Sequence, residues 1–278
     1  MASHSGPKRA EYHGPANLSG KVAVITGASQ GLGEAIARLF AERGAAGLIL
    51  CGRNASNGER VAAEIEATGC PTAFVRADLG IVADCRKVIA EADRRFKRID
   101  VLVNAAGLTD RGNIFDTSEE RFNEIFNVNV RAPFFLIQET ANIMRREKIA
   151  GAIVNIQSMS AHGGQPFITA YCTSKGALAT LTRNVAHSLL KHRIRVNGLN
   201  IGWMSTPGED RIMKTYHGAQ DGWLEAAGKS RPFGRLIDPN EVARACAYLA
   251  SDESGLMTGA NIDFDQTIVG VSDPPIEP

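Results

Sequence analysis

A phenol and an ammonium stand four residues apart in Tyr171-Cys172-Thr173-Ser174-Lys175, inside a stretch whose pattern reads as helix. Side chains at i and i+4 share one helix face, so both head groups can enter one space. An isolated tyrosine has a pKa of about 10 and accepts protons poorly at neutral pH. A unit positive charge ~4 Å away is worth about 4 kcal/mol at an effective dielectric of ~20, enough to lower the phenol's pKa by up to ~3. A tyrosine placed in this way becomes a general acid or base near neutral pH. Alone, the spacing would equally decorate a surface helix, so its meaning depends on the rest of the chain.

Phosphate chemistry is carried by a second stretch, Thr26-Gly27-Ala28-Ser29-Gln30-Gly31-Leu32-Gly33. It follows an apolar β-branched run at 21–25 and precedes a helical pattern at 34–43. The spacing is Gly27-x-x-x-Gly31-x-Gly33. Gly27 permits a sharp exit from a strand, Gly31 lets a phosphate approach the backbone, and Gly33 allows close helix–strand packing. The helix N-terminus that follows offers free N–H groups and a positive dipole end to a pyrophosphate. After the next apolar run, at 46–51, comes Gly52-Arg53-Asn54. A carboxylate at that place would bind the ribose hydroxyls of a dinucleotide, whereas an arginine suits a 2′-phosphate. Cys51, Gly52 and Asn54 supply no carboxylate. Arg53 therefore favours NADP(H), with NAD(H) the alternative; a solvated loop arginine would look the same.

These residues need elements to position them, and the chain alternates strand and helix from end to end. Strands are predicted at 21–25, 46–51, 73–75, 100–103, 152–156, 195–199 and 261–264. Helices are predicted at 34–43, 57–68, 82–96, 119–147, from the Tyr171 segment to about 191, and at 240–250. Strands separated by helices of ten or more residues require crossover connections, hence an α/β fold with a doubly wound parallel sheet of Rossmann type, flanked by helices on both faces. In such sheets a ligand sits beyond the carboxyl ends of the strands. The glycine loop, Arg53, Asp78, Asn104 and Ser158 each lie at or just past a strand end. No linker interrupts the alternation, so one domain is expected over 19–270, with a flexible arm at 1–18 and a tail at 271–278.

Taken together, the chain resembles the short-chain dehydrogenase/reductase family over about 18–264. The resemblance rests on Thr26-Gly27-x-x-x-Gly31-x-Gly33, Asn104-Ala105-Ala106-Gly107, Asn129, Ser158 and Tyr171-x-x-x-Lys175. Each motif is weak alone; all of them in this order are specific. The resemblance implies an NAD(P)-dependent alcohol dehydrogenase or carbonyl reductase acting on a small-molecule substrate. Tyr171 would be the general acid/base, and Lys175 would lower its pKa and hold the nicotinamide ribose. Ser158 would polarise the substrate oxygen, and Asn129 would hold a water linking Lys175 to solvent. The resemblance also implies a cofactor site made from Gly27, Ser29, Gln30, Gly31, Leu32, Gly33, Arg53, Asp78, Leu79, Asn104, Ala105 and Gly107. Asp78 would meet the adenine, Asn104 would mainly tie central strands together, and Thr206 would contact the carboxamide. One departure stands out: Ile201 replaces the proline of the family's P-G-x-x-x-T segment, although Gly202 and Thr206 are kept. A homotetramer is likewise implied by the resemblance alone. The rival readings are a catalytically silent dinucleotide-binding or sensing protein, and enoyl reduction or dehydration on the same fold.

Composition excludes other classes. The formal net charge is +1 over 278 residues, which leaves no electrostatic footprint for nucleic acid or an anionic membrane. Apolar runs are strand-sized and too short to span a bilayer. No signal peptide is visible in the first 20 residues. Five scattered cysteines form no C-x-x-C pair, which argues for reduced thiols in a cytoplasmic protein and against a zinc site. No acidic or histidine cluster has metal-ligand spacing, so no catalytic metal is expected. The segment 203–232 reads as irregular or short helix, and a stretch this long inside a compact domain is usually functional. It holds both tryptophans, Trp203 and Trp223, with Met204, Glu209, Asp210, Arg211, Lys214, His217, Gln220 and Asp221. Aromatics mixed with hydrogen-bonding groups suit a lid over a small sugar or polyol. His162 is a candidate substrate contact from the Ser158 loop, and Cys172 a small helix residue facing away.

Overall fold

The computed structural model describes residues 12–270. Seven strands form one sheet in the order β3-β2-β1-β4-β5-β6-β7. They are β1 Val22–Thr26, β2 Gly47–Gly52, β3 Thr72–Arg76, β4 Val101–Asn104, β5 Ala152–Ser158, β6 Arg195–Ile201 and β7 Asn261–Phe264. Every neighbouring pair is parallel. A parallel sheet is covered on both faces, so its strands carry continuous apolar runs instead of alternation. β1, β2 and β4 are buried at every position.

Helices α1 Gly31–Glu42, α2 Ala55–Glu66 and α9 Pro239–Ala250 cover one face. Helices α3 Val82–Phe96, α5 Ala132–Arg146 and α6 Thr169–Leu189 cover the other. Phe40, Ile36 and Leu50 anchor the first core, and Leu102, Ile99 and Leu136 the second. Each such side chain contributes roughly 1.5–3 kcal/mol by leaving water. The chain reverses its winding between β1 and β4, which lie side by side. That reversal opens a crevice at the carboxyl ends of the strands.

Three expectations are modified. The helix expected over 119–147 is three pieces: α4 Glu119–Phe126, a π-helical segment Asn127–Arg131, and α5. One residue more than an α-turn allows is accommodated there, as the Ala132 N–H to Asn127 O bond records. The lid segment is more regular than expected, forming α7 Pro207–His217 and α8 Trp223–Lys229. Finally, the flexible arm does not extend to Leu18. Ala16 and Leu18 are buried in the first core, and the Leu18 N–H donates to Arg43 O at 2.9 Å. The rest of the expected arm, 1–11, and the tail, 271–278, lie outside the described residues.

Candidate active site

The glycine loop turns as its spacing implies. Gly27 and Gly31 adopt φ of +67° and +61°, a region that costs a side chain strain but not a glycine. At Gly33 the constraint is contact: a Cβ would stand 2.4 Å from Gly27 O. The N-cap of α1, Gln30, sends no side chain back onto the helix, so the first-turn N–H groups face the crevice. The resulting cleft has a volume of about 490 Å³. Its floor is Gly27, Ser29, Gln30, Gly31, Leu32 and Gly33. Arg53 enters past β2, Asp78 and Leu79 past β3, and Ala105 and Gly107 past β4. Tyr171 and Lys175 close the far end, and Thr206 stands against Gly31. The Asp78 side chain also accepts from the Gly80 N–H at 2.9 Å.

Two candidates for the cofactor set sit elsewhere. Asn104 is buried below the cleft, and its Nδ2 donates to Asn155 Oδ1 at 2.8 Å. It joins β4 to β5 and does not line the cleft. Gly202 lines the neighbouring cavity instead. A Cβ there would fall 1.9 Å from Asp265 Oδ1, so the kept glycine answers a close approach from the strand β7 side. The cleft also contains a residue that no motif flagged as a cofactor contact, Arg211 of α7. Among the described residues, neither Arg53 nor Arg211 makes an ion pair, so two uncommitted guanidiniums line one cleft.

Ser158, Tyr171, Lys175 and Asn129 converge at the junction of β5, α6 and the π segment. Ser158 ends β5, and its Oγ accepts from the Ser160 N–H at 3.1 Å. Tyr171 is half-buried, with the Ser158 hydroxyl beside its phenol. Lys175 is buried, its Nζ donating to Ile156 O at 2.9 Å and lying 5.6 Å from the centre of the Tyr171 ring. A Cβ on Gly107 would meet Lys175 Nζ at 3.5 Å and Asn129 Oδ1 at 3.8 Å, which places the three together. The Asn129 side chain accepts from the Leu108 N–H at 2.8 Å and donates to Leu108 O at 2.8 Å. It also donates to Ser174 Oγ at 3.0 Å, and that hydroxyl donates to Tyr171 O at 2.7 Å. Both hydrogens of its amide are therefore committed, one to the turn after β4 and one to Ser174.

Burial opposes charge on both members of the Tyr171–Lys175 pair. Burial pushes the phenol up to about 12, with the Glu209 charge adding to it and the Ser158 hydrogen bond opposing it. Burial also pulls Lys175 down to about 8. Desolvation disfavours both charged forms. The ammonium points its proton at a carbonyl and stands off the ring, so its attraction does not offset the cost.

Beside this group opens a cavity of about 710 Å³. Thr109, Tyr171 and Thr206 line both it and the cleft. The lid forms one wall. Trp203 and Trp223 stack at 5.9 Å between ring centres, but only Trp203 faces the cavity; Trp223 backs it. Trp203 Nε1 donates to Glu209 and Trp223 Nε1 to Asp210, at 2.7 and 2.8 Å. Glu209 and His217 face inward, whereas Lys214 pairs with Asp210 and Asp221 on the outer side. His162 lines the cavity and contacts Asp263 at 2.9 Å. Cys172 is not on this surface; its Sγ approaches Gln165 O at 3.8 Å. Gln165, Asp265, Arg111 and Arg231 also line the cavity. Their positions depend on loops with no fixed motif, so spacing could not flag them. No group of three or more His, Cys, Asp or Glu among the described residues could hold a metal ion.

Comparison with known proteins places this geometry among oxidoreductases. A family model described as "Enoyl-(Acyl carrier protein) reductase" matches residues 27–267. The NADP-dependent (R)-specific alcohol dehydrogenase of Lentilactobacillus kefiri is 32% identical over 250 residues, covering 89% of this chain and 96% of that protein. Galactitol 2-dehydrogenase of Agrobacterium fabrum is 32% identical over 254 residues, covering 89% and 97%. The structure of L-sorbose reductase from Gluconobacter frateurii, complexed with NADPH and L-sorbose, superposes with a TM-score of 0.84 at 28% identity, covering 92% of this chain and 99% of that one.

Proposed function

This chain belongs to the short-chain dehydrogenase/reductase family and is an oxidoreductase, and from that premise we propose that it interconverts a polar secondary alcohol of sugar or polyol size and the matching ketone, using NADP(H). One observation carries the reading: Tyr171 lines both the cleft and the cavity, and Ser158 lines the cavity beside it.

The cleft fits a dinucleotide. Gly31 opens α1 at an N-terminus without a side-chain cap, the arrangement that receives a pyrophosphate. Arg53 lines the cleft past β2, which ends without a carboxylate, and this supports a 2′-phosphate there. When bound, the nicotinamide accepts or supplies the hydride. The protein's residues manage the proton. In the oxidising direction the substrate hydroxyl gives its proton to the Tyr171 oxygen as the adjacent C–H bond breaks. In the reducing direction the same phenol returns a proton to the carbonyl oxygen. The Ser158 hydroxyl holds that oxygen, and protonated Lys175 stabilises the phenolate. Asn129 acts by positioning the turn after β4 against α6.

The polar substrate is supported by the groups that line the cavity, among them Glu209, His217, Gln165 and Asp265, and by relatives named for galactitol and L-sorbose. A site that hydrogen-bonds hydroxyls rejects analogues lacking them by large factors. Free cysteines, four of them buried, support a cytoplasmic setting. Exposed Phe122 and Phe134 on α4 and α5 support assembly as a homo-oligomer. Reduction of an enoyl thioester is the competing reading, favoured by the name of the matching family model.

The test is a panel of alditols, ketoses, hydrophobic ketones and an enoyl thioester, each with NADP(H) and NAD(H), read at the nicotinamide absorbance with product analysis. The expected result is highest kcat/KM for a polyol or ketose with NADP(H). Preference for bulky hydrophobic ketones, or turnover of the thioester alone, overturns the reading.

A further inference from the structure

Arg231 follows α8, and its backbone N–H donates to Gly228 O at 2.9 Å. The guanidinium lies 4.9 Å from the centre of the Trp203 ring, the inner member of the pinned tryptophan stack. Its place is therefore set by a rigid support. It lines the same cavity as Ser158 and Tyr171. Yet among the described residues the guanidinium makes no hydrogen bond and no ion pair, and its Nε is buried without a partner.

The neighbouring charges do not satisfy it. Arg111 is the cavity's other arginine, and its Nε donates to His217 Nε2 at 3.0 Å while Phe167 and Tyr216 flank it at 5.4 and 5.7 Å. Glu209 accepts from Trp203, and Asp265 accepts from the Thr267 N–H at 3.2 Å. A guanidinium stays charged at all relevant pH and presents five N–H donors in a fork that matches a carboxylate. The residue is half-buried, and its buried Nε–H left unpaired is costly; an anion that reaches the fork offsets that cost.

From this we infer that Arg231 is the receptor for a carboxylate on the substrate, so the substrate is a polyhydroxy acid of sugar size. The inference rests on the polar-alcohol reading above and deepens it. The fork takes the carboxylate, Glu209 and Asp265 accept from hydroxyls, and Tyr171 and Ser158 meet the reacting carbon's oxygen. The fork of the cavity's one guanidinium without a hydrogen-bond partner among the described residues matches one carboxylate. Two acids in the same cavity disfavour the second charge of a phosphate ester.

The experiment uses the NADP(H)-loaded protein, wild type and Arg231→Gln. Binding of D-gluconate and D-galactonate is compared by titration calorimetry with that of D-glucitol, galactitol and D-glucitol 6-phosphate, alongside kcat/KM for each. The wild type is expected to favour the acids over the matching alditols by on the order of 10²-fold. Arg231→Gln should erase that advantage by weakening acid binding far more than alditol binding, and Arg231→Lys, which keeps the charge without the fork, should recover part of it. Equal binding of acid and alditol by the wild type overturns the inference while leaving the polyol reading intact. So does an equal loss for both in Arg231→Gln, which would make Arg231 only a prop for Trp203. Tighter binding of the phosphate ester, or no binding of any of the five, also overturns it. A preference for hydrophobic ketones overturns both readings together.

Discussion

Tyr171 and Lys175 share a helix face, but sharing a face does not make the pair reactive. Burial works against charge on both, taking the phenol up to about 12 and the ammonium down to about 8. Tyr171→Phe removes only the hydroxyl and should lower kcat by on the order of 10²–10⁴, with NADP(H) affinity nearly intact by fluorescence titration; near-normal turnover would sink the assignment. Lys175 carries a stability cost as well. Below about pH 8 it is charged in folded and unfolded chains alike, and the desolvation penalty is fully present. Between about 8 and the ordinary value of 10.5 the folded chain binds fewer protons, so stability climbs with pH. Lys175→Met should therefore raise stability at pH 7 by about 1–3 kcal/mol while abolishing activity, and its advantage should shrink above pH 8. A melting temperature at or below that of the wild type at pH 7 would contradict this account. Arg53→Ala should weaken NADP(H) binding about tenfold or more, the scale of a charge-assisted hydrogen bond, and spare NAD(H); equal losses would remove Arg53 from the 2′-phosphate.

At the scale of elements, the π segment between α4 and α5 is what brings Asn129 to the site. An α-helix through Asn127–Arg131 would advance each residue by about 100° and carry Asn129 to another face. In place, its amide clasps both backbone groups of Leu108 and holds Ser174 against Tyr171 O. Asn129→Ala strips partners from groups at the centre of the molecule. It should cost about 1–3 kcal/mol of stability, seen as a lower midpoint in urea, together with a fall in kcat. An unchanged midpoint would show that the turn after β4 holds itself. The helical periodicity over 119–147 is legible in the sequence. The extra residue is not, because a π segment and a straight helix bury nearly the same apolar positions.

Across the whole molecule, stability and specificity are carried by different parts. The two cores pack on the sheet, whereas α7 contributes no buried residue and α8 contributes only Gly228. Replacing 208–228 with a short glycine–serine linker should thus raise KM steeply and leave the cooperative unfolding of the core in place. Loss of the folded core, by circular dichroism, would mean that the lid is part of it. The same division explains why the lid was the least legible region. Its polar and aromatic composition pointed to hydrogen bonding with a substrate. Which groups face inward was set by contacts such as Trp203 with Glu209 and Lys214 with Asp210 and Asp221.

Legible in the sequence were the strand and helix alternation, the parallel sheet, the glycine and serine positions at strand ends, and the tyrosine and lysine on one helix face. These follow from local rules: apolar runs sized for strands, the period of a helix, and backbone angles open to glycine. Packing alone decided that Asn104 lies outside the cofactor cleft, that Asn129 clasps Leu108, that Arg211 enters that cleft, and that Arg231 stands uncommitted on Trp203. Each of those depends on a partner far along the chain or on the depth of burial. Distance and desolvation are properties of the packed molecule, and no spacing within a segment encodes them.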